Sequence, residues 1–310
     1  MVVFSSGINE HINKTIRYLM NKTTFLAPFG ATFSHDAYVM LSELFSAPLV
    51  TEGNYIPAGA NGEILKLMRE HGGYGAIAME TLAEGRVAEP LEAFIELLKF
   101  YENITQCPFH VVGAVRMRIH FCLMARHGMT RDSIKRIIAH PKAIGPCKKS
   151  IESMGTIMMS APSNGEAARL VAQSEEHADC AALGPTSAAE KYGLHILDNQ
   201  FENQEAVTTF FLIAPKAHER AVGKENRMLI VFKVPQHKSG ALVKCLLPFD
   251  TEGLNLIQIH SVHVGNHTYN FAIEIEVKDN QREAMNRAMK VFGAYVENHI
   301  AFGPFEVVTN

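Results

Sequence analysis

The stretch Tyr74-Gly75-Ala76-Ile77-Ala78-Met79 decides the fold class of this chain. It is uncharged and apolar throughout, and it is bounded upstream by Gly72-Gly73. A short continuous apolar run of this kind reads as a buried strand, because a half-solvated strand alternates apolar with polar residues. A strand covered on both faces needs helices packed on its sheet. Residues 87–101 read as such a helix, directly after the strand.

The same alternation continues in both directions. Upstream, Thr24-Phe25-Leu26-Ala27 is a short strand, followed by a turn through Pro28 and Gly30 and a helix beginning near Ser34, whose hydroxyl can cap backbone N–H groups. Residues 7–20 carry Ile8, Ile12, Ile16 and Leu19 at helical spacing, with Ser5 or Ser6 as a cap. Downstream, 111–125 reads as one long strand and 130–138 as a helix. Ala139-His140-Pro141 is a turn, 142–153 a second helix, and 164–173 a third with Ser163 at its mouth. Ala181-Ala182-Leu183-Gly184 and 207–214 are strands. Strands alternating with helices imply α/β layers with largely parallel sheets, in which ligands gather at the carboxyl ends of strands and at helix N-termini.

A boundary falls in the polar, glycine-containing segment 216–226. Beyond it the pattern is strand (228–234), helix (239–249), strand (255–264), strand (268–277), helix (280–293) and strand (302–308), the βαββαβ order of a ferredoxin-like unit.

Composition removes several function classes. The chain has 310 residues, 47% hydrophobic and 20% charged, room for two or three compact units. Its net charge of -3 gives no footprint for nucleic acid, and no apolar stretch reaches the roughly 20 residues that span a bilayer. The N-terminal residues lack a basic segment and an apolar run, so a cytoplasmic location is expected. The five cysteines are far apart with no Cys-x-x-Cys, which argues against a zinc site and a disulfide framework. Cys147 precedes Lys148 and Lys149 and is either an activated thiol or a buried helix-start residue. His260 and His263 point to opposite faces of their strand, so no metal is expected there.

Several segments, in one order along the chain, carry a resemblance to the prephenate dehydratase family. Phe25-Leu26-Ala27-Pro28-Phe29-Gly30-Ala31-Thr32-Phe33-Ser34-His35-Asp36-Ala37 resembles its opening strand and Gly-Thr-Phe/Tyr-Ser turn, with one extra residue. Ala78-Met79-Glu80-Thr81-Leu82-Ala83-Glu84-Gly85 is similar to its Pro-Ile-Glu-Asn-Ser/Thr-x-x-Gly, and Ala139-His140-Pro141-Lys142-Ala143-Ile144-Gly145-Pro146-Cys147 to its Ser-His-Pro-Gln-x-x-x-Gln-Cys. Ser163-Asn164-Gly165-Glu166-Ala167 stands at its Ser/Thr-rich helix mouth, and Val207-Thr208-Thr209-Phe210 on its Thr-Arg-Phe. Gly240-Ala241-Leu242-Val243-Lys244-Cys245-Leu246 resembles its Gly-Ala-Leu-x-x-x-Leu, and 254–263 covers its Glu-Ser-Arg-Pro region.

The resemblance implies an α/β fold: a two-lobed, periplasmic-binding-protein-like catalytic domain over 23–218, its second lobe at about 106–195, followed by a ferredoxin-like ACT domain over 225–310. Residues 1–22 form an N-terminal helical extension, too short for a chorismate mutase segment. The implied catalytic residues are Thr208, Glu80 and Thr81. Those implied for holding substrate are Thr32, Phe33, Ser34, Phe121, Lys142, Ser163, Asn164, Gly165, Thr209 and Phe210, and the ACT effector region is Gly240, Ala241, Leu242, His260 and Ser261. No cofactor or metal is implied; a homodimer or homotetramer is.

The departures bear on the reaction. The arginine of Thr-Arg-Phe is here Thr209, so a fork able to hold a carboxylate bidentately is missing. The residues after Glu80 are Thr81 and Leu82, and the His-Cys-Leu of the central strand is Phe121-Cys122-Leu123. A cation has appeared at Lys142, with Arg116 and Arg118 competing for the same compensating role. These changes favour non-aromatising decarboxylation of prephenate, in which a ring carbon is protonated and the hydroxyl kept; in a dehydratase Thr208 is the donor matched to the departing hydroxyl. The alternatives are plain prephenate dehydratase with another cation in place of the arginine, and a non-catalytic small-molecule binding protein. With Glu-Ser-Arg-Pro replaced by His260-Ser261-Val262-His263, phenylalanine feedback is expected to be weak or absent.

Overall fold

The computed structural model describes residues 23–26, 31–51, 53–82, 85–221, 223, 225–235, 238–265 and 268–309. The helix expected over 7–20 and the turn at Pro28 and Gly30 lie outside the described residues.

The first lobe runs β1 (Thr24–Leu26), α1 (Phe33–Phe45), β2 (Tyr55–Pro57), α2 (Asn61–His71), β3 (Tyr74–Thr81), β4 (Gly85–Arg86), α3 (Ala88–Glu96) and β5 (Phe109–Arg118). The second runs β6 (Cys122–Ala125), β7 (Arg136–Ala139), α4 (Ile144–Met154), β8 (Ile157–Ser160), α5 (Asn164–Gln173), β9 (Cys180–Gly184), α6 (Thr186–Tyr192) and β10 (His195–Asp198). The chain returns to the first lobe through β11 (Val207–Pro215). The C-terminal domain then follows as β12 (Glu225–Lys233), α7 (Ala241–Thr251), β13 (Leu256–Gly265), β14 (Thr268–Lys278), α8 (Arg282–Gly293) and β15 (Asn298–Thr309).

Among the described residues the strands make two sheets. The second lobe has the order β10-β6-β9-β7-β8, and the larger sheet the order β13-β14-β12-β15-β5-β11-β3-β1-β2. The C-terminal βαββαβ unit and the first lobe therefore share one sheet, joined where β15 runs parallel to β5 from the Glu306↔Gly113 pair to Thr309↔Arg116. One face of the C-terminal strands is covered by α7 and α8, through Ile230, Phe232, Phe249, Ile273 and Phe292. The other face, with Leu229, Val231, Ala272 and Ile300, packs on Phe25, Ile77 and Phe211 of the first lobe.

β3 is the buried strand expected, extended to Thr81, parallel to β1 and antiparallel to β11. Gly75 lets α2 lie close on it: a Cβ there would stand 2.5 Å from Ile64 Cγ2. Gly113 does the same for α1, since a Cβ would stand 2.4 Å from the Phe45 ring.

The sheets are mixed rather than largely parallel, since β11 runs antiparallel to both β3 and β5 and β6 antiparallel to β9 and β10, and three expected elements also differ. The single strand over 111–125 is two strands in different sheets, and residues 119–121 form the crossing between lobes. At this neck Ile119 N–H donates to Ala206 O at 2.8 Å and Phe201 N–H to Phe121 O at 2.8 Å. The apolar pattern runs unbroken through Ile119 and Phe121 because both are buried at the neck. The helix over 130–138 is one 3-10 turn, Arg131–Ser133, and then β7. Thr130 and Ser133 cap each other as a helix start would, but the β-branched Ile137 and Ile138 are buried in a strand between β8 and β9. The helix placed at 142–153 begins as a 3-10 turn, Pro141–Ala143, with α4 proper from Ile144.

Candidate active site

The cleft lies at the carboxyl ends of β3 and β5, where β11 starts and the neck crosses to the second lobe. Directly opposed residues on paired strands share a face. Thr208 pairs with Thr81 on β3 and Met117 on β5, while Thr209 pairs with Glu80 and Arg116. Thr208 thus shares its face with Phe210, which packs in the core beneath α1, and Thr209 shares its face with Phe211, which packs toward the C-terminal domain.

A register shift sorts the candidate residues. Thr209 pairs with Glu80 but Phe210 with Ala78, so Met79 is an extra residue on β3. The bulge places Met79 and Glu80 on one face. Met79 is buried toward the C-terminal domain, and Glu80 Oε1 accepts a 3.0 Å hydrogen bond from Gln258 Nε2 of β13. Glu80 and Thr81, grouped as neighbours in the sequence, consequently serve opposite faces. Thr81 Oγ1 is buried with no hydrogen-bond partner among the described residues.

On the α1 side, the face that carries Thr208 and Thr81 continues into the buried cluster of Phe210. Phe33, in the first turn of α1, meets Phe121 at the neck edge-on, centroids 5.1 Å apart, and Phe121 and Phe210 belong to the same buried cluster. The Phe121 N–H donates to Glu202 Oε2 at 2.8 Å, and His120 Nδ1 lies 2.8 Å from Oε1, so one carboxylate pins the crossing segment.

Two helix mouths bring backbone donors to the cleft. Thr32 caps α1, its Oγ1 accepting from His35 N–H at 3.3 Å, and Ser34 is buried behind it. Ser163 caps α5, accepting from Glu166 N–H at 3.0 Å, and Asn164 Oδ1 accepts from His140 N–H at 3.0 Å. The first-turn amides of each helix, at Phe33–Ser34 and Asn164–Gly165, are the groups that can bind an anion. The lobes are also fastened directly: Ser187 Oγ of α6 donates to Asp36 Oδ2 of α1 at 3.0 Å.

The competing cations differ in placement. Lys142 is exposed on the turn before α4, its backbone N–H donating to His140 Nδ1. Arg118 is exposed and paired with Glu205 at 3.0 Å. Arg116 is half-buried and stands directly opposite Thr209.

In the C-terminal domain, Gly240, Ala241 and Leu242 line a pocket of about 490 Å³ with Val234, Tyr269 and Phe271. His260 and Ser261 lie along β13 and are not among the lining residues. Cys147 is fully buried, and burial pushes its thiol up to about 12, which makes it a packing residue.

The sequence reading gave no role to Asp36, Ser187, Glu202, Arg227 or Gln258. Gly184-Pro185-Thr186-Ser187 carries a helix-start signal that marks Ser187 as a residue at the cleft. The other four depend on contacts between distant segments.

Known proteins show the same arrangement. A sequence model of prephenate dehydratase matches residues 24–218. A prephenate dehydratase of Methanocaldococcus jannaschii is 29% identical over 238 residues, covering 75% of this chain and 79% of that protein. The chloroplastic arogenate dehydratase/prephenate dehydratase 2 of Arabidopsis thaliana is 28% identical over 196 residues, 61% of this chain and 50% of that one. Among solved structures, a prephenate dehydratase from Arthrobacter aurescens in complex with L-Phe superimposes with a TM-score of 0.76 at 23% identity, covering 92% of this chain and 89% of that one. GqqA, described as a quorum quenching acylase, superimposes at 0.70 with 19% identity, covering 92% and 98%. At these identities the superpositions establish the fold, and GqqA is described by a different activity. The ordered motifs, the two-lobed fold and the match over 24–218 place this chain in the prephenate dehydratase family.

Proposed function

We propose that this protein is a prephenate-consuming lyase acting as a dehydratase, with the ring carboxylate leaving as carbon dioxide and the ring hydroxyl as water to give phenylpyruvate. The observation that carries this reading is the Thr208–Thr81 pair, whose Thr81 hydroxyl is buried without a partner among the described residues, on the face that also carries Phe210. As the carboxyl carbon–carbon bond breaks, its electron pair enters the ring and expels the hydroxyl oxygen, which takes up one proton to leave as water. Thr208 is the donor aimed at that oxygen. An apolar surround favours carboxylate loss because charge disperses in the transition state. The pyruvyl carboxylate is held at the mouths of α1 and α5.

The aromatising reading is favoured by the relatives, which are named prephenate and arogenate dehydratases; Arg116, directly across from Thr209, lies on the face turned away from the Thr208–Thr81 row. The names of the relatives extend the substrate class to arogenate, which carries an amino group where prephenate has a keto group. A second reading, non-aromatising decarboxylation, rests on Thr209 itself, because a misplaced carboxylate uncouples decarboxylation from loss of the hydroxyl. The C-terminal domain is read as an ACT-type module, with the pocket at Gly240, Ala241 and Leu242 as its ligand site.

The test is to incubate the pure protein separately with prephenate and arogenate and to identify the products by mass and ultraviolet spectrum. Phenylpyruvate or phenylalanine supports dehydration. A product heavier by one water and lacking the aromatic absorption supports decarboxylation alone. Saturable binding without turnover would sink both.

A further inference from the structure

Glu80 belongs to a strand of the first lobe, yet among the described residues the side chains that hold it come from the C-terminal domain. Gln258 Nε2 of β13 donates to Glu80 Oε1 at 3.0 Å, and Arg227 Nη1 of β12 lies 3.7 Å from Glu80 Oε2. Arg227 is itself almost buried and is fixed by Glu274, 1% exposed, whose Oε1 accepts from Nη1 at 2.7 Å. A guanidinium clamped by a buried carboxylate has little freedom, so its position beside Glu80 is set by the C-terminal domain. The direct neighbours of Glu80 in the sheet are the uncharged Thr209 on β11 and Arg86 on β4.

We propose that Arg227 and Gln258 are positioning residues: across the domain boundary they hold the Glu80 carboxylate in one orientation at the cleft end of β3. The inference rests on the lyase reading of the cleft given above. Its physical basis is pre-organisation. A glutamate has three rotatable bonds, and one hydrogen-bond donor and one ion-pair partner from different strands restrain its carboxylate before substrate arrives. Arg227 thereby serves two carboxylates, Glu274 within its own domain and Glu80 at the end of β3.

The test separates these two services. R227M is made together with E274Q, so that no buried carboxylate is stranded, and compared with E274Q alone using prephenate. The expected result is a kcat lowered about ten-fold or more with KM within about three-fold, the signature of a lost orienting contact. Adding T209R, which puts a guanidinium on the residue facing Glu80, is expected to restore kcat to within about three-fold of E274Q. A merely structural Arg227 has no reason to be rescued from that position. Q258L gives an independent reading if the double variant does not fold: kcat falls about three-fold or more with an unchanged melting temperature. Unaltered kcat in Q258L or in folded R227M/E274Q, or a failure of T209R to rescue, overturns the proposal. Absence of turnover by the unmodified protein overturns the lyase reading and this inference together, whereas turnover indifferent to Arg227 and Gln258 overturns the inference alone.

Discussion

Ser187 Oγ donates to Asp36 Oδ2 at 3.0 Å, joining the first turn of a second-lobe helix to the first turn of α1. The bond crosses the cleft and exists only when the lobes are close. A hydrogen bond to a charged acceptor is worth about 1.5–3 kcal/mol, so it biases the closed arrangement by roughly ten-fold or more. S187A is therefore expected to raise KM for prephenate about three- to ten-fold with a smaller effect on kcat. Unchanged KM in steady-state kinetics would show that closure does not depend on this contact.

Thr208 and Thr81 give the sharpest test of the chemistry. Removing a donor aimed at developing charge costs about 10²–10³ in kcat. T208V is expected to lose turnover on that scale while T208S retains a substantial fraction. T81V, which removes a buried hydroxyl with no hydrogen-bond partner among the described residues, should change turnover by less than about three-fold. Product formation by ultraviolet absorbance checks all three, and circular dichroism checks that each variant is folded.

Much of this molecule is legible in the sequence, and the limits have physical causes. β3 and β11 show themselves as apolar runs because both of their faces are covered, and the C-terminal βαββαβ order follows from plain alternation with turn residues between. Thr208 follows from the resemblance. The bulge at Met79 is invisible to it, because one extra residue changes which face Glu80 serves without changing a single letter of the motif. The 130–138 segment misleads because its start chemistry is that of a helix while its β-branched centre belongs in a strand. The short strands β2, β8 and β10 and the seven-residue α6 carry little periodic signal because they are brief, whereas α2 shows Ile64, Leu65 and Met68 at helical spacing and is legible. Arg227 and Gln258 meet Glu80 across roughly 150 residues or more of chain, a distance over which no local pattern speaks.

Gly113 tests the packing of α1. The Cβ of alanine would enter the Phe45 ring at 2.4 Å, so either the ring or the helix must move. G113A is expected to lower stability by about 1–3 kcal/mol, read as a shift in the urea midpoint at constant slope. An unshifted midpoint would mean that α1 is free to slide on its sheet.

His110 predicts an acid dependence of stability. Burial, reinforced by nearby Arg220, pushes its imidazole down to about 4, and Nε2 is buried without a hydrogen-bond partner among the described residues. The unfolded chain takes up the proton near 6.5, so between these values the unfolded state binds more protons than the folded one. The stability linked to neutral His110 is therefore complete above about pH 6.5 and is lost progressively as the pH falls toward 4. Urea midpoints across this range should fall for the unmodified protein and fall less steeply for H110Q, by a difference on the order of 1–2 kcal/mol.

The cysteines predict chemical silence. All five are buried, and burial pushes Cys107 and Cys180 up to about 11 and Cys147 to about 12. Iodoacetamide at pH 8 should leave the native protein unmodified by mass and fully active, and should label every thiol after denaturation. Rapid native labelling of Cys147 would revive it as a nucleophile.

The parallel pairing of β15 with β5 has a consequence during synthesis. Gly113 to Arg116 emerge from the ribosome about two hundred residues before their partners Glu306 to Thr309. At about 5–20 residues per second, the flank of β5 waits on the order of tens of seconds with its amides and carbonyls unpaired. An open strand edge invites strangers. A nascent chain of this protein should therefore need a chaperone most while its C-terminal domain is still being translated, and a chain stalled before β15 should aggregate even though both lobes have been made.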